Sequence, residues 1–384
     1  MPLEFQFVFV LVIVYGTSYS LKFLEQYDIP ILAVEILAGV IFGSFFGIIG
    51  PETQGYEFLL SMAALGLLLI MFEAGLELDP ALIQDNPKTV GILGSATFGI
   101  PFISGLGLGL LLNLSIFASF LIGVTVSTTS LGLVYPLLED FGYIETERGQ
   151  LILSVAVFND IISVIALAYG ITLTSPNPIF GLTVVTATVL FFFVVVPNFL
   201  VEYLETIVPD TIVTNPTKFG VFLAVGLAFL MEQVGIHAIL GGFFAGLLIA
   251  EVTHEGHEVD QAMDPVVDLV APVFFFFVGM QFQLRVINMA DIWIVVTVII
   301  LGLGAKIVGS LIGGLLTNVT TKTTYFLAAV MPGRLAISVA AAEIGLSQGI
   351  ISPIIYDAFL VLSTLSVFVA SLSFRYLSQQ EKRI

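Results

Sequence analysis

The sequence predicts an all-α polytopic membrane protein with about thirteen transmembrane helices, and three observations predict it. Of 384 residues, 58% are hydrophobic and only 10% charged, with a mean hydropathy of +1.09. Soluble domains carry about 45–50% apolar and about 25% charged residues. Apolar runs bounded by Pro, Gly or charge recur along the whole chain at close to the ~20 residues a bilayer span requires. Lys and Arg fall in alternate loops between those runs, as the positive-inside rule demands. This composition excludes an ordinary cytosolic enzyme and a disordered chain. The balance of 29 acidic against 11 basic residues, −18 in all, disfavours nucleic acid as a partner. The absence of Cys excludes a disulfide framework, iron–sulfur clusters and thiolate zinc sites.

The runs cover 5–24, 31–50, 58–77, 89–112, 115–138, 149–173, 177–201, 217–235, 237–251, 263–284, 290–317, 322–346 and 352–377. The eighth and ninth are separated only at Gly235-Ile236-His237. Met1-Pro2-Leu3-Glu4 lacks the basic start of a cleavable signal. With the N-terminus outside and the C-terminus cytoplasmic, Lys22, Lys88, Arg148, Lys218, Lys322, Arg375, Lys382 and Arg383 all fall inside. Only Arg285 falls outside. Removing one span would scramble that alternation. The carboxylate-rich segment from Glu251 to Asp268 reads as an inner loop. In it, His254 and His257 stand beside Glu251, Glu255 and Glu258, either as ordinary solvated residues or as a metal or pH-sensing group.

Two segments repeat. Phe72-Glu73-Ala74-Gly75 in the third run resembles Phe276-Phe277-Val278-Gly279 in the tenth, and Ala38-Gly39-Val40-Ile41 in the second resembles Ala245-Gly246-Leu247-Leu248 in the ninth, at offsets of 204 and 207. Seven spans separate the copies. An odd number of crossings inverts one half relative to the other, the arrangement in which substrate sites lie near the membrane midplane. The same offset links two weak points. Thr125-Val126-Ser127-Thr128-Thr129-Ser130 is a hydroxyl run with poor helix propensity, and Met331-Pro332-Gly333-Arg334 combines a ring that removes a backbone donor with a flexible residue. Both lie mid-span, so the sequence predicts two crossed broken helices whose ends can coordinate an ion. The alternative at each is a kink or a hydroxyl bonded back to the preceding turn.

A charge at the bilayer centre costs at least about 2.5–3.5 kcal/mol, which makes ionisable groups inside spans functional candidates. Asp160, eleven residues into the sixth run, is the leading one. Its carboxylate can hold either a proton or a hard monovalent cation such as Na⁺, and mutual exclusion at one group produces exchange. Asn159 is a neutral neighbour that orients Asp160 or completes its shell. Lys306, central in the eleventh run, either compensates helix dipoles or carries a second proton. Arg334 at the second break does not deprotonate and reads as a structural partner. Glu73, one turn from the inner end of its run, either faces a cavity or relays ions. Glu35, Glu232 and Glu343 lie near span ends and are expected to cap helices or face water. No span pairs a nucleophile with a His or a second Asp, which argues against an intramembrane enzyme.

Several motifs together resemble a known family. Glu35-Ile36-Leu37-Ala38-Gly39, Phe72-Glu73-Ala74-Gly75-Leu76-Glu77-Leu78, Ser127-Thr128-Thr129-Ser130, Asn159-Asp160, Ala245-Gly246-Leu247-Leu248, Phe275-Phe276-Phe277-Val278-Gly279-Met280 and Lys306 are similar, in order and spacing, to the monovalent cation/proton antiporter superfamily, in its NapA-like and Kef-like branch. The resemblance implies a NapA/NhaA-like fold forming a homodimer in the plasma membrane. A dimerisation bundle would comprise about 5–77 and 217–284, an ion-transporting core about 89–173 and 290–377, and a linker helix about 177–201. The core would move as an elevator.

It also implies secondary antiport of H⁺ for a monovalent cation, Na⁺ or Li⁺, without a cofactor, with K⁺/H⁺ exchange of the Kef-like type as the alternative. A cation channel or a proton-coupled solute carrier is the different class. Asp160 matches the essential aspartate, Asn159 the residue before it, Thr128, Thr129 and Ser130 the unwound hydroxyl segment, and Lys306 the basic residue facing the site.

This sequence departs from the pattern in several places. Electrogenic members have paired aspartates with a lysine, and electroneutral members Asn-Asp with an arginine, whereas Asn159-Asp160 stands with Lys306. Arg334 is followed by Leu335-Ala336 where members show Arg-Gly-Glu, so its ion pair must be lost or supplied elsewhere. Glu73 replaces a usually apolar residue. The ending Glu381-Lys382-Arg383-Ile384 implies that the soluble nucleotide-binding tail of Kef-like members is absent.

Overall fold

A computed structural model describes residues 3–21, 31–47, 49, 56–76, 86–173, 177–192, 194–195, 216–233, 238–253, 256–282 and 289–381. These residues are helical apart from short connections and interruptions, with no strand among them. In chain order the helices are α1 Leu3–Leu21, α2 Ile31–Gly39, α3 Tyr56–Leu76, α4 Pro87–Leu111, α5 Ile116–Ser127, α6 Leu131–Asp140, α7 Glu147–Thr172, α8 Pro178–Leu190, α9 Pro216–Gln233, α10 Ala238–Thr253, α11 Gly256–Met280, α12 Met289–Leu316, α13 Thr321–Val330, α14 Ala336–Ser347 and α15 Pro353–Glu381. Among the described residues, seven helical stretches are long and apolar enough to cross a membrane. The chain divides into two compact units, 1–78 with 171–284 and 79–170 with 285–384.

The first unit packs by backbone apposition. A Cβ on Gly39 of α2 would land on the carbonyl of Phe276 in α11, and one on Gly279 of α11 would land on the carbonyl of Ile36. Gly75 of α3 and Gly246 of α10 meet in the same reciprocal way, against the carbonyls of Phe243 and Phe72. Hydrogen side chains are the condition for both crossings. The two crossings use the repeated sequence positions, since Gly39 corresponds to Gly246 and Gly75 to Gly279. After Gly39, α2 relaxes into a π-helical turn over Val40–Phe45.

Two sequence expectations change here. Glu35 does not face water: it is buried on α2, and one carboxylate oxygen accepts a 2.7 Å hydrogen bond from Ser18 of α1. The α1–α2 pairing encloses a residue that position alone put near a span end. The acidic stretch through Asp268 is not a loop, because α11 begins at Gly256. Val259, Met263, Val267 and Val270 form a buried stripe at helical spacing while Asp264 and Asp268 stay exposed. Charge density masked that amphipathic period. His237 and His254 lie outside the described residues, as does the side chain of His257. Of the other two span-end glutamates, Glu232 is exposed and Glu343 is half-buried.

The second unit holds the interrupted helices. Pro87 occupies the first turn of α4, where its missing N–H costs nothing. Ser115 caps α5 by accepting from the Ala118 N–H at 3.1 Å, and Thr320 caps α13 by accepting from the Thr323 N–H at 3.2 Å. On α12, Ile292, Trp293, Val296, Ile300, Val308 and Leu315 form an exposed apolar face suited to lipid. Its opposite face buries Ala305, Lys306 and Ser310. At one end of the unit the Glu381 carboxylate accepts from Arg148 at 2.6 Å and from the Tyr143 hydroxyl at 2.7 Å. Phe326 and Phe374 pack edge to face beneath them.

Candidate functional site

The site grows from the two interruptions. The hydroxyl run ends α5 at Ser127, and Thr128 (φ −59°, ψ 155°) and Ser130 (φ −125°, ψ 113°) are extended before α6 starts at Leu131. The Pro-Gly-Arg segment ends α13 at Val330, and α14 starts at Ala336. A buried helix end leaves carbonyls or N–H groups without intrahelical partners, and each break supplies partners to the other. The Ser130 N–H donates to the Gly333 carbonyl at 3.0 Å, the Thr129 hydroxyl to the Met331 carbonyl at 3.3 Å, and the Ser338 hydroxyl to the Thr125 carbonyl at 3.4 Å.

Arg334 completes the exchange. Fully buried, it donates through Nη1 to the Val126 carbonyl at the C-terminal end of α5, through Nη2 to the Gly302 carbonyl at 2.8 Å, and through Nε to its neighbour Pro332 at 3.2 Å. Ser366 of α15 braces it, accepting from the Arg334 N–H at 3.1 Å and donating to its carbonyl at 3.2 Å. The partner that the sequence left unassigned for this cation is therefore a set of carbonyls, of which that of Val126 lies at the negative end of the α5 dipole.

Asp160 and Asn159 project from the middle of α7. Asp160 Oδ2 accepts from the N–H of Leu131, the first residue of α6, at 3.1 Å, where a helix N-terminus favours negative charge. Asp160 Oδ1 is buried and has no hydrogen-bond partner. Asn159 donates to the Thr97 hydroxyl of α4 and to the Val155 carbonyl, both at 2.9 Å, which fixes its amide so that Oδ1 accepts from Lys306 Nζ at 3.1 Å. Lys306 Nζ also donates to the Thr129 hydroxyl at 2.6 Å. Among the described residues no carboxylate lies within ion-pairing distance of Lys306 or Arg334. Their hydrogen bonds run to neutral oxygens.

The structure thus gathers Asp160, Asn159, Thr129, Lys306 and Arg334 at the two breaks. Thr128 turns its hydroxyl back to the Thr125 carbonyl at 3.1 Å, and Ser130, half-buried, joins the two breaks through its N–H. Glu73 sits half-buried on α3, in the other unit. Sequence reasoning missed Thr97 and Ser366, two hydroxyls among many in apolar helices, which nothing in their local pattern marks. An open polar cavity of about 740 Å³ lies along the first turns of α7, lined by residues that include Glu147, Gln150 and Ser154 of that helix, with Glu145, Lys88 and Asn318.

The described residues form an all-helical fold, with helices long and apolar enough to cross a membrane and a buried carboxylate beside two helix interruptions. The sequence matches the family described as sodium/hydrogen exchanger, transmembrane, over residues 8–380, and the chain belongs to that family. It is 26% identical over 342 residues to a probable Na⁺/H⁺ antiporter, GerT, of Bacillus cereus, covering 86% of this chain and 88% of that one. It is 24% identical to the Na⁺/H⁺-K⁺ antiporter GerN of the same organism, covering 97% of both. K⁺/H⁺ antiporter 1 of Saccharomyces cerevisiae is 26% identical over 89% of this chain and 43% of its own length. The fold matches the sodium proton antiporter MjNhaP1 of Methanocaldococcus jannaschii with a TM-score of 0.70, at 19% identity and 99% coverage of both chains. The chain is a multi-pass membrane member of a cation/proton antiporter family, a family of transporters.

Proposed function

We propose that the protein exchanges H⁺ for a monovalent cation, Na⁺ or Li⁺, across the plasma membrane by alternating access, with Asp160 holding the proton and the cation in turn. The observation that carries this reading is the asymmetry of Asp160. One oxygen is anchored on the α6 N-terminus and the other is buried without a partner. A proton or a small cation satisfies that oxygen, and one excludes the other.

The charge balance bears on stoichiometry. Ionised Asp160 with Lys306 and Arg334 leaves one net positive charge. A proton or a monovalent cation on Asp160 raises it to two in either case, provided Lys306 keeps its proton. Lys306 hydrogen-bonds to Thr129 and Asn159 rather than to Asp160, so loading Asp160 breaks no bond of the ammonium. Exchange is then one for one and indifferent to membrane potential, which would otherwise contribute about 2.3 kcal/mol per charge per 100 mV.

The rest of the architecture follows the same reading. The chain crosses the membrane thirteen times with its N-terminus outside, and α5–α6 and α13–α14 form the crossed pair of an inverted repeat. Support comes from the basic-residue alternation, the bonds between the breaks and the reciprocal glycine crossings. The second unit is the moving ion-carrying core. The first is the dimerisation bundle of a homodimer, with a linker helix over about 177–201. The cavity beside α7 is the inner approach, ending about 9 Å short of Asp160 at 1.5 Å per residue.

K⁺/H⁺ exchange is the second reading, favoured by the names of the yeast relative and of GerN. Vesicles containing the purified protein, with membrane potential clamped, test both. A Na⁺ or Li⁺ gradient is expected to move protons and Asp160→Asn to abolish the movement. Proton movement with K⁺ alone supports the second reading. Normal exchange by Asp160→Asn ends both.

A further inference from the structure

A second buried oxygen beside Asp160 has no partner. Ser163 on α7 is fully buried and its hydroxyl makes no hydrogen bond. Among the described buried hydroxyls of its unit Ser378 of α15 shares this condition, and most others do not. The hydroxyls of Thr97, Thr125, Ser127, Ser154 and Ser310 each donate to a carbonyl one turn back on their own helix, the local bond that buried helical Ser and Thr ordinarily make. For Ser163 that acceptor would be the Asn159 carbonyl, and the hydroxyl does not take it. Burying an unpaired hydroxyl is costly unless something else satisfies it.

Asp160 and Ser163 are three residues apart on one helix, which places both side chains on one face with Cβ atoms about 5–6 Å apart. Asp160 Oδ1 is the other orphaned oxygen of this stretch. Two oxygens at that spacing, one anionic and one neutral, are both within reach of a single hard cation with metal–oxygen distances of the order of 2.4 Å.

We propose that Ser163 Oγ is a ligand of the transported cation and, once a proton on Asp160 has replaced that cation, the hydrogen-bond acceptor for the carboxyl O–H. This rests on Asp160 as the carrier. With a cation bound, Ser163 turns its hydrogen to the Asn159 carbonyl and gives a lone pair to the ion beside Asp160 Oδ1. With Asp160 protonated, the carboxyl O–H donates to the same lone pair. Ser163 therefore serves both loaded states without moving off α7, and the hydroxyl helps set which cation fits.

The test is transport in vesicles by Ser163→Ala and Ser163→Cys, with Asp160→Asn alongside and elution as a single folded species as the control. Ser163→Ala is expected to raise the half-saturating Na⁺ concentration about tenfold or more while keeping the maximal rate within about threefold. Ser163→Cys substitutes a soft sulfur for a hard oxygen, and is expected to shift the preference ratio from Na⁺ toward Tl⁺ at least about fivefold. A purely structural serine moves neither the half-saturation nor that ratio. Unchanged Na⁺ half-saturation in Ser163→Ala, or an unchanged Na⁺/Tl⁺ ratio in Ser163→Cys if the alanine variant does not fold, overturns the proposal. An inert Asp160→Asn with native-like Ser163 variants removes only this inference, whereas an active Asp160→Asn removes the carrier assignment beneath it.

Discussion

The two units bury helix against helix inside a membrane, both with glycines at close crossings, as where Gly105 of α4 meets Gly123 of α5 in the second, but the second adds interrupted helices to that packing. In the first, α2 meets α11 and α3 meets α10 where side chains are absent, so backbone touches backbone. In the second, α5 and α13 stop short, and charges and hydroxyls take over the carbonyls and N–H groups thus exposed. Hydrophobic burial does not distinguish helix–helix contact from helix–lipid contact in a bilayer, so close packing and hydrogen bonding must hold the helices together. Glycine crossings fix one arrangement and present no chemistry. Interrupted helices leave polar groups that a proton or ion can satisfy, and they carry function for that reason.

The contrast is breakable. The largest expected effect is Arg334→Ala. It strips the Val126 carbonyl at the end of α5 of its donor, at about 1–3 kcal/mol for a buried acceptor left unpaired, and removes the guanidinium bonds to the Gly302 and Pro332 carbonyls as well. Loss of folded protein or a large drop in melting temperature is expected, measured by thermal unfolding in detergent. Arg334→Lys should recover only part of it, because an ammonium lacks the guanidinium's fork. Gly246→Ala comes next, at about 1–3 kcal/mol of overpacking. Its melting temperature should fall while its cation preference stays native. A changed cation order in this variant would mean that the first unit shapes the site.

Thr129→Val keeps the side-chain shape and removes an acceptor for Lys306 and a donor to Met331. A loss of about 1–2 kcal/mol is expected, with slower exchange. Lys306→Gln is the mildest in transport. Exchange should persist at reduced rate and, like the native protein, show no dependence on an imposed potential. Potential-dependent exchange by the native protein would assign Lys306 a cycling proton.

Much of this was legible beforehand because the signals are local. Composition and apolar run length announced the helices, the Thr-Val-Ser-Thr-Thr-Ser run and the Pro-Gly pair announced the two interruptions, and scarcity made Asp160, Lys306 and Arg334 conspicuous. The repeated Ala-Gly and Phe-x-x-Gly segments were visible as similarity. That the glycines face one another in reciprocal pairs required the structure. Other features depend on long-range partners. Arg334 calls for a carboxylate by charge alone, yet backbone carbonyls serve it, one of them 208 residues away in sequence. The burial of Glu35 depends on α1 closing over it. The idleness of the Ser163 hydroxyl is a matter of rotamer and packing, which no spacing encodes. In α11 the helical period was present but overwritten by its acidic face.

The central claim is that a proton and a cation compete for one oxygen of Asp160. Its most direct measurement is cation binding by the purified protein as pH is lowered. The apparent Na⁺ affinity should fall by up to about tenfold per pH unit once Asp160 protonates, with about one proton released per cation bound below that pH and none well above it, and Asp160→Asn should bind no Na⁺ at any pH. A Na⁺ affinity that stays constant across the acidic range, or that survives in Asp160→Asn, would contradict it.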